Sequence, residues 1–428
     1  MQGLTRTTTL SLTLFSTPLW ADVHYVAPGQ SIQAAVDAAA DGDVIRLGAG
    51  VHIEFVSFMG RDISIVGEGP EDTIWTNVSG GMLQAVYSLT EISNVTFLGG
   101  TGVPEGFTTK GGAIQIAGGR CHVSTCNLFD NESSAGGAIM ANTADLTVSE
   151  SHFEGNSITN GQDGGEAILT QFGNLSLHSC TFFENGIGSN GYSSGTVESK
   201  GTTLTAFNCL FEDNFGIQSG GIGLFNASGI ASHCTFVDNH YFAGYGSNAN
   251  LKFLNCLFAN NGGTSSNIGA VLQSGGSIQY AGCVLQDQFM GDDGPVSTPS
   301  TVQNLVIENP NLIDVDGRLS IADSNELRSI ATTADILYDQ MTPPSEDIDG
   351  LSRPVNRMVG AVEHQVGADP NPCHADLNGD ALIDYQDLIL LLNRWGVADT
   401  YDPADRDLDG FIGLPELTML LSEWGDCP

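Results

Sequence analysis

The residues best placed to do chemistry lie near the end of the 428-residue chain, where oxygen-bearing side chains recur at fixed spacing. In residues 376–387, positions 1, 3, 5, 9 and 12 are Asp376, Asn378, Asp380, Asp384 and Asp387. At position 7, the carbonyl group of Leu382 adds a further oxygen. Ca²⁺ takes about six to eight hard oxygen ligands, and this spacing wraps them round one point. The loop therefore predicts a calcium site.

A second loop, residues 405–416, repeats the pattern. Its expected ligands are Asp405, Asp407, Asp409, the carbonyl group of Phe411 and Glu416. The first loop departs from the usual motif at two positions: Ala381 replaces the glycine of the tight turn, and Asp387 is a shorter ligand than Glu at position 12. In the second loop Gly413 leaves position 9 to water. We expect two bound Ca²⁺ ions as the cofactor.

Each calcium loop continues into a short apolar segment that ends in Trp-Gly, residues 388–396 and 417–425. The two copies are offset by 29 residues. The apolar segments predict short helices, and Ile383 and Ile412, at position 8 of each loop, are expected to pair in a short strand. The tail is therefore predicted to be a duplicated loop–helix unit without the entering helix of an EF-hand.

This tail resembles a type I dockerin, in the variant bracketed by cysteines. The resemblance implies the calcium ligands named above and a disulfide between Cys373 and Cys427. It also implies docking to a cohesin-like module through positions 10 and 11 of each loop. Those positions are Tyr385, Gln386, Leu414 and Pro415. They differ from the Ser/Thr pairs of cellulosomal dockerins, so we expect a different cohesin-like module or a cell-surface scaffold as the partner.

Charge and targeting signals limit the possible partners and the cellular location of the protein. Acidic residues outnumber basic ones 50 to 13, a net charge of −37, which excludes nucleic acid as a partner because phosphate binding needs a basic surface. Residues 1–21 read as a signal peptide, with one charge and an apolar run. No later apolar run approaches the ~18 residues of a membrane span, so the mature protein is expected outside the cell without a transmembrane segment.

Residues 366–372, rich in Pro and Gly, predict a linker before a domain at 373–428.

A repeat occupies the middle of the chain. Its template is Cys or Ser, then Phe or Leu two residues later, then Asn five residues later. The starts of successive copies are 22 to 29 residues apart. The copies begin at Cys126, Ser151, Cys180, Cys209, Cys234 and Cys256, with a decayed copy at Cys283. A Gly-Gly-Ala-Ile motif or a relative of it stands between copies.

Between these markers, apolar and polar residues alternate as in a β-strand. Short strands at this period, with Gly and Asn at the corners, predict a parallel β-solenoid with one coil per repeat. Equivalent residues should then stack, Phe over Phe inside and Asn over Asn at a turn, with Asn chosen for its tolerance of the left-handed conformation. The cysteines are interpreted mainly as buried spacers; a small disulfide loop between Cys121 and Cys126 is the alternative.

Residues 23–365 resemble secreted right-handed parallel β-helix proteins of the pectin-lyase type, including bacterial ones. The similarity is carried by residues 24–45 at the start, and by residues 309–314, 347–354 and 359–363 at the end. It implies an all-β domain at 22–365 whose first coil is capped by a short amphipathic helix. The resemblance indicates the fold of these residues and does not indicate an activity.

Catalytic residues are not evident, but one acidic set has regular spacing. Asp130, Glu184, Asp213 and Asp238 each stand four residues after a repeat start. On adjacent coils they would lie ~5 Å apart, near the carboxylate spacing of a retaining glycosidase, although a solvated turn row is the plainer interpretation.

Two further features are candidate binding or catalytic groups. Aromatic residues in 240–245 offer faces for a sugar or, alternatively, pack on the flank of the solenoid. If Glu166 has a catalytic role, this residue, which is inserted into a Gly-Gly-Ala-Ile corner, should point to the surface beside Glu198.

Three functions follow. The first is a secreted, calcium-binding, dockerin-bearing β-helix protein, associated with polysaccharide and docked to a scaffold or cell surface. The second is a polysaccharide hydrolase or lyase that uses the acidic row. The third is a structural or adhesive surface protein.

Overall fold

The computed structural model describes a parallel β-solenoid and the core of a small tail. The described residues are 21–106, 108–159, 164–187, 193, 195–262, 271–286, 305–307, 312–315, 318–321, 347–348, 360–361, 382–383, 385–397, 411–412, 417, 420–421 and 424–426. The predicted signal peptide, apart from Ala21, and the predicted linker lie outside them. Within the described residues, no helix is long and apolar enough to cross a membrane.

Each coil of the solenoid has three faces. Face 1 is formed by Val56–Met59, Ile139–Asn142, Ile168–Gln171, Val197–Lys200 and Ser219–Phe225. Face 2 is formed by Val23–Val26, Val44–Leu47, Ile63–Val66, Asp145–Ser149, Asn174–His178, Thr203–Phe207 and Ser228–Ser232. Leu83–Ser93, Ile114–Ser124, Phe242–Leu254 and Val271–Ala281 run through both faces. All pairings along these faces are parallel, as the repeat predicts.

Face 3 is a second parallel sheet. Its strands are Gly50–Ile53, Thr73–Thr76, Thr96–Leu98, Asn127–Phe129, His152–Glu154, Thr181–Phe183, Leu210–Glu212, Thr235–Val237, Leu257–Ala259, Val284–Gln286 and Leu305–Ile307. Smaller pairs are Val103–Glu105 with Thr108–Lys110, Glu132–Ser133 with Ser157–Ile158, and Leu312–Val315 with Arg318–Ile321. The all-β parallel solenoid is confirmed; its right-handed winding stays a prediction.

From Tyr87 to Asn260, residues in the left-handed conformation turn the chain at three corners of each coil. Corner 1 joins faces 1 and 2, corner 2 joins faces 2 and 3, and corner 3 follows face 3. In the coil that contains Asp145–Ser149 these residues are Thr143, Glu150 and Gly155. From one coil to the next, the first two corners stay seven residues apart and the last two five. All variation in coil length therefore falls in the loop from corner 3 to the next face 1, which we call the variable loop.

The core is a set of stacked ladders. The rings of Phe153, Phe182, Phe211, Phe236 and Phe258 stack with successive centroids 4.8, 4.7, 4.8 and 5.0 Å apart. The predicted phenylalanine ladder is confirmed. The Gly-Gly-Ala-Ile corners bring backbones into close contact: a Cβ atom on Gly137 would lie 2.0 Å from the carbonyl oxygen of Glu166. Glycine is required there because any side chain would collide with the next coil.

The predicted capping helix is confirmed as Ile32–Ala38. Ile32 and Val36 are buried against the first coils. Ser31 accepts a hydrogen bond from the backbone N–H of Ala34 as the N-cap. The Glu54 carboxylate accepts from the backbone N–H of Ile32 at 2.5 Å, which favours this helix end because its amides carry partial positive charge.

A short segment near the end of the solenoid is held against it. The backbone N–H of Ala361 donates to Thr235 Oγ1 at 2.9 Å, and that of Gly360 donates to the Asn255 carbonyl group at 2.9 Å. Ile348 donates to the carbonyl group of Ala361. This segment lies within the closing region on which the sequence resemblance depends.

Candidate functional site

The acidic row predicted from the repeat lies at corner 3. Asp130, Glu184, Asp213 and Asp238 all adopt left-handed φ values of 51–53°. Their backbone N–H groups donate to the carbonyl group of the equivalent strand end in the next coil. Glu184, Asp213 and Asp238 follow one another on three consecutive coils, whereas Gly155 separates Asp130 from them. The structure thus brings three of the four candidates into one row.

Burial changes the pKa of one carboxyl group in this row. Partial burial raises the pKa of Asp238, and the negative charge of Asp213 raises it further, against the opposing effect of a hydrogen bond from Asn260. Asp130 and Glu184 are exposed, while Asp213 is half-buried. The row therefore combines one carboxyl group whose pKa is raised with two exposed acidic side chains.

The asparagine ladder lies directly beneath the acidic row. Asn131, Asn156, Asn185, Asn214 and Asn239 are fully buried. Each Nδ2 donates both to the Oδ1 of the next asparagine at 2.9–3.0 Å and to a backbone carbonyl group. The predicted ladder is confirmed. The left-handed residue, however, is the acidic or glycine residue before each asparagine, so burial of the amide explains Asn here.

Glu166 and Glu198, placed at the surface in the sequence hypothesis, are buried, at 0% and 1% exposure. The variable loops cover face 1 at this point. Glu166 Oε2 accepts from the backbone N–H of Ile158 at 2.9 Å. Glu198 pairs with Lys200 at 3.1 Å, and its carboxylate occupies the space a Cβ atom of Gly164 would need. Both carboxylates therefore hold the variable loops against face 1 and do not form an open acidic patch.

The aromatic faces expected in residues 240–245 are largely absent from the surface. Phe242 and Tyr245 are buried in the long strand Phe242–Leu254. The rings of His240 and Tyr241 pack against Phe215, with centroids 5.3 and 5.9 Å away. The alternative interpretation, aromatic packing on the flank, is confirmed.

All seven solenoid cysteines are free and buried. The disulfide alternative for Cys121 and Cys126 is therefore wrong, and the interpretation as buried spacers is confirmed. Burial raises the pKa of Cys121, and it raises that of Cys126 to about 12. The Sγ atom of Cys126 lies 3.2 Å from the Ser124 carbonyl group, and Cys180 makes the equivalent contact. No group of metal-ligating side chains is found among the described residues.

The tail is described in part. Most predicted ligands lie outside the described residues: Asp376, Asn378, Asp380, Asp384, Asp405, Asp407, Asp409 and Glu416, as do Cys373, Cys427, Leu414 and Pro415. Asp387 is buried in the first turn of helix Tyr385–Asn393. Ile383, Leu391, Ile412 and Leu420 form one buried cluster. The 29-residue offset of the sequence copies relates the first two to the last two.

The strand pairing within the tail differs from the expected one. Ile383 pairs with Gly425 and Ile412 pairs with Gly396, each antiparallel, so neither isoleucine pairs with the other. Each isoleucine instead pairs with the glycine at the end of the other unit's apolar segment. The two units therefore exchange strands, and the isoleucines meet through their side chains in the core.

One groove was not found by sequence reasoning. It has a volume of roughly 660 Å³ and follows corner 1 and the start of face 2. The residues that line it are Phe172, Gly173, Asn174, Gly201, Thr202, Thr203, Asn226, Ala227, Ser228, Asn248 and Asn250. A single phenylalanine beside a glycine gave no repeated signal that would have marked it.

No protein-family model matches the chain, and no curated protein matches it. Solved structures are similar to it. The PL6 family alginate lyase AlyGC has 12% identity over 71% of this chain and 56% of its own, with TM-scores of 0.40 for a mutant and 0.36 for a second structure. A GH87 α-1,3-glucanase catalytic domain in complex with nigerose has 11% identity over 64% and 60%, with a TM-score of 0.29.

Carrot pectin methylesterase is also similar, with 13% identity over 69% of this chain and 91% of its own and a TM-score of 0.31. This chain thus spans less than two thirds of the alginate lyase and of the glucanase domain. These values describe a coarse likeness between β-solenoids. They carry no statement about the activity of this chain.

Proposed function

We propose that the protein is a secreted bacterial β-helix protein that associates with polysaccharide and docks to a cohesin-like module or a cell-surface scaffold through a dockerin tail. The paired core of the tail carries the docking part of this proposal. Ile383 and Leu391 pack with their counterparts Ile412 and Leu420, as two copies of one loop–helix unit should. The solenoid supplies a long, regular surface for an extended ligand.

Calcium is the cofactor proposed for the tail. The described part of the first loop fits this assignment, because Asp387, its last position, is a buried carboxylate in the first helical turn. When bound, Ca²⁺ would cross-link the loop carboxylates and fix the start of the helix. The residues proposed to hold the ions are those predicted from the two loops.

The docking surface is proposed to include the exposed side of the tail. Tyr385 is exposed at position 10 of the first loop. Leu392 and Trp395 are also exposed, and so are their counterparts Leu421 and Trp424. Large apolar side chains that are exposed in both copies favour a protein partner over a merely solvated tail.

Pull-down of the full chain with and without chelator tests the docking part. The full chain is immobilised as the bait and is incubated with a bacterial extracellular fraction that contains cohesin-like scaffold proteins. We expect calcium-dependent retention, lost in the Tyr385→Ala/Leu392→Ala variant and kept in Tyr25→Ala, which removes an exposed tyrosine from the solenoid. Retention that is independent of calcium and of these residues would contradict docking through the tail.

A polysaccharide hydrolase or lyase is the alternative function, and the raised pKa of Asp238 beside Asp213 favours it. Glycoside cleavage uses two carboxyl groups, and a raised pKa suits the one that acts as the acid. Reducing-end assays on neutral and acidic polysaccharides test it with Glu184→Gln, Asp213→Asn and Asp238→Asn. Turnover that these variants abolish supports the hydrolase, whereas binding without turnover contradicts it.

A further inference from the structure

We infer that the groove at corner 1 is a binding site for a neutral glycan chain, with Phe172 as its stacking platform. This inference deepens the proposed polysaccharide association by naming the surface and the ligand class. It concerns a different corner from the acidic row. The inference rests on the exposure of the Phe172 ring, on its packing over the next coil and on the chemistry of the groove.

Phe172 combines a large exposed ring with an unfavourable backbone conformation. Its φ is +55° and its exposure is 67%. A bulky residue in the left-handed region is uncommon and costs conformational energy. At this corner Gly201, Asn226 and Asn248 adopt it readily, whereas Tyr87 and Thr143 share the conformation of Phe172. The Phe172 ring is at the surface and is available to a ligand on its solvent side.

The ring lies over the backbone of the next coil. A Cβ atom on Gly201 would be 3.2 Å from Cδ1 of Phe172 and 3.3 Å from Cε1. Glycine at this position therefore lets the ring settle against the coil. One side of the ring is supported by backbone while much of the ring remains exposed to solvent. A supported flat aromatic surface of this kind suits the apolar face of a sugar ring.

Hydroxyl and amide side chains line the groove beside the ring. The exposed residues Asn174, Thr203, Ser228 and Asn250 lie in register on successive coils of face 2. They form a polar row parallel to the solenoid axis, with a repeat of about 4.8 Å. Amide and hydroxyl side chains can both donate to and accept from the hydroxyl groups of an extended glycan.

The absence of charge in this groove selects the ligand class. None of its eleven lining residues is ionisable, in a chain with a net charge of −37. The neighbouring acid, Asp145, accepts hydrogen bonds from the backbone N–H and Nδ2 of Asn174 at 3.2 and 2.8 Å. The residues that line the groove offer no cation to a polyuronate or a phosphate, and the neighbouring Asp145 carboxylate already accepts hydrogen bonds from Asn174. A neutral polysaccharide is the ligand this chemistry fits.

Native affinity electrophoresis of the full chain tests the inference, with soluble β-glucan, xylan and mannan in separate gels and polygalacturonate as the charged comparison. We expect at least one neutral polysaccharide to retard the protein and polygalacturonate to have no effect. Phe172→Asn, which suits the left-handed corner, should weaken the retarding interaction about tenfold, the order expected for one lost stacking contact. Thr203→Lys, which crowds and charges the groove, should also weaken it.

The matched control is Tyr87→Asn. Tyr87 is 70% exposed, lies in the same left-handed conformation at the same corner, and is outside the groove. The control should bind as the unchanged protein does. Equal binding by Phe172→Asn, or equal loss in Tyr87→Asn, would overturn the assignment to this groove while leaving polysaccharide association intact. Retardation by polygalacturonate alone would overturn the neutral ligand, and no retardation in any gel would contradict the proposed association itself. Unchanged thermal melting of the variants excludes misfolding as the cause.

Discussion

The Oδ1 atom of Asn214 accepts two hydrogen bonds from Asn185 on the preceding coil, from Nδ2 at 2.9 Å and from the backbone N–H at 3.1 Å. Nδ2 of Asn214 donates in turn to Asn239 at 3.0 Å and to the Phe182 carbonyl group at 2.8 Å. One buried amide therefore ties three consecutive coils together. This relationship explains why the repeat carries asparagine and no other polar residue at this position.

Replacement of one ladder asparagine should destabilise the solenoid. Asn214→Ala leaves buried donors and acceptors on both neighbouring coils without their partners, and each such group costs about 1–3 kcal/mol. We expect a loss of ~2–4 kcal/mol in the free energy of unfolding, measured by denaturant titration. Asn142→Ala, at an exposed strand end, should change it by less than about 0.5 kcal/mol. Equal effects of the two substitutions would contradict the ladder.

A cavity in the phenylalanine stack should be similarly costly. Phe211 lies between Phe182 and Phe236 with both ring centroids within 4.8 Å. Phe211→Ala should lower the free energy of unfolding by about 3–5 kcal/mol, because contacts on both sides of the ring are lost. Phe211→Leu should recover much of this, since Leu128 occupies the same position in an earlier coil. A thermal melt that separates the two variants by several degrees would support this packing.

The thiols should be inert in the folded protein. The seven solenoid cysteines are buried, so a reagent in solution cannot reach their sulfur atoms, and burial also raises the pKa of Cys209 and Cys256. We expect a thiol reagent to label none of these seven in the native protein. In denaturant without reductant, seven of the nine cysteines should react if Cys373 and Cys427 are joined. Nine reactive thiols would contradict that disulfide.

The first coils should lose stability in acid. His24 Nε2 lies 2.9 Å from Asp43, and this contact together with the backbone N–H groups of Ala40 and Asp22 lowers the pKa of Asp43 from 3.8 to about 2. A depressed folded-state pKa stabilises the protein above pH 3.8, and the contribution is lost as the pH falls toward 2. Asp43→Asn should therefore be less stable at pH 6, with a smaller difference near pH 2. The exposed Glu71→Gln control should not show this trend.

Asp238 should behave in the opposite way. Its folded-state pKa is raised, so ionisation opposes folding at neutral pH and the penalty disappears below the unfolded value near 3.8. Asn is tolerated at this corner, since Asn260 adopts φ +52° one coil later. Asp238→Asn should therefore leave stability at pH 7 equal or slightly higher, by less than about 1 kcal/mol. A clear loss of stability would indicate a structural role for the ionised carboxylate.

Sequence reasoning found the parts of the solenoid that repeat because they face inward. Phenylalanine, cysteine and asparagine recur at equivalent positions in most coils, because packing between coils favours one residue type at each position. The variable loops have no such constraint. The burial of Glu166 and Glu198 depends on contacts with loop residues such as Ile158 and Gly164, and the alternation of apolar and polar residues does not encode these contacts. The exposed ring of Phe172 is not part of the repeat, so the repeat pattern did not predict it.

In the tail, sequence reasoning found the two units and missed how they join. The offset of 29 residues correctly predicted that Ile383 and Ile412 are equivalent, and both enter one core. It did not predict the exchange of strands with Gly425 and Gly396. Glycine carries no apolar signal, so the pairing partners of the two isoleucines left no mark in the hydrophobic pattern.

The most direct test of the account is calorimetric titration of the full chain with Ca²⁺. We predict two bound ions per chain, one in each loop, because each loop presents its own oxygen ligands. Asp376→Ala and Asp405→Ala should each leave one ion, and the double variant none, while Asp130→Asn at corner 3 should still bind two. No calcium binding by the folded unchanged protein, or binding that persists in the double variant, would contradict a calcium-loaded docking tail.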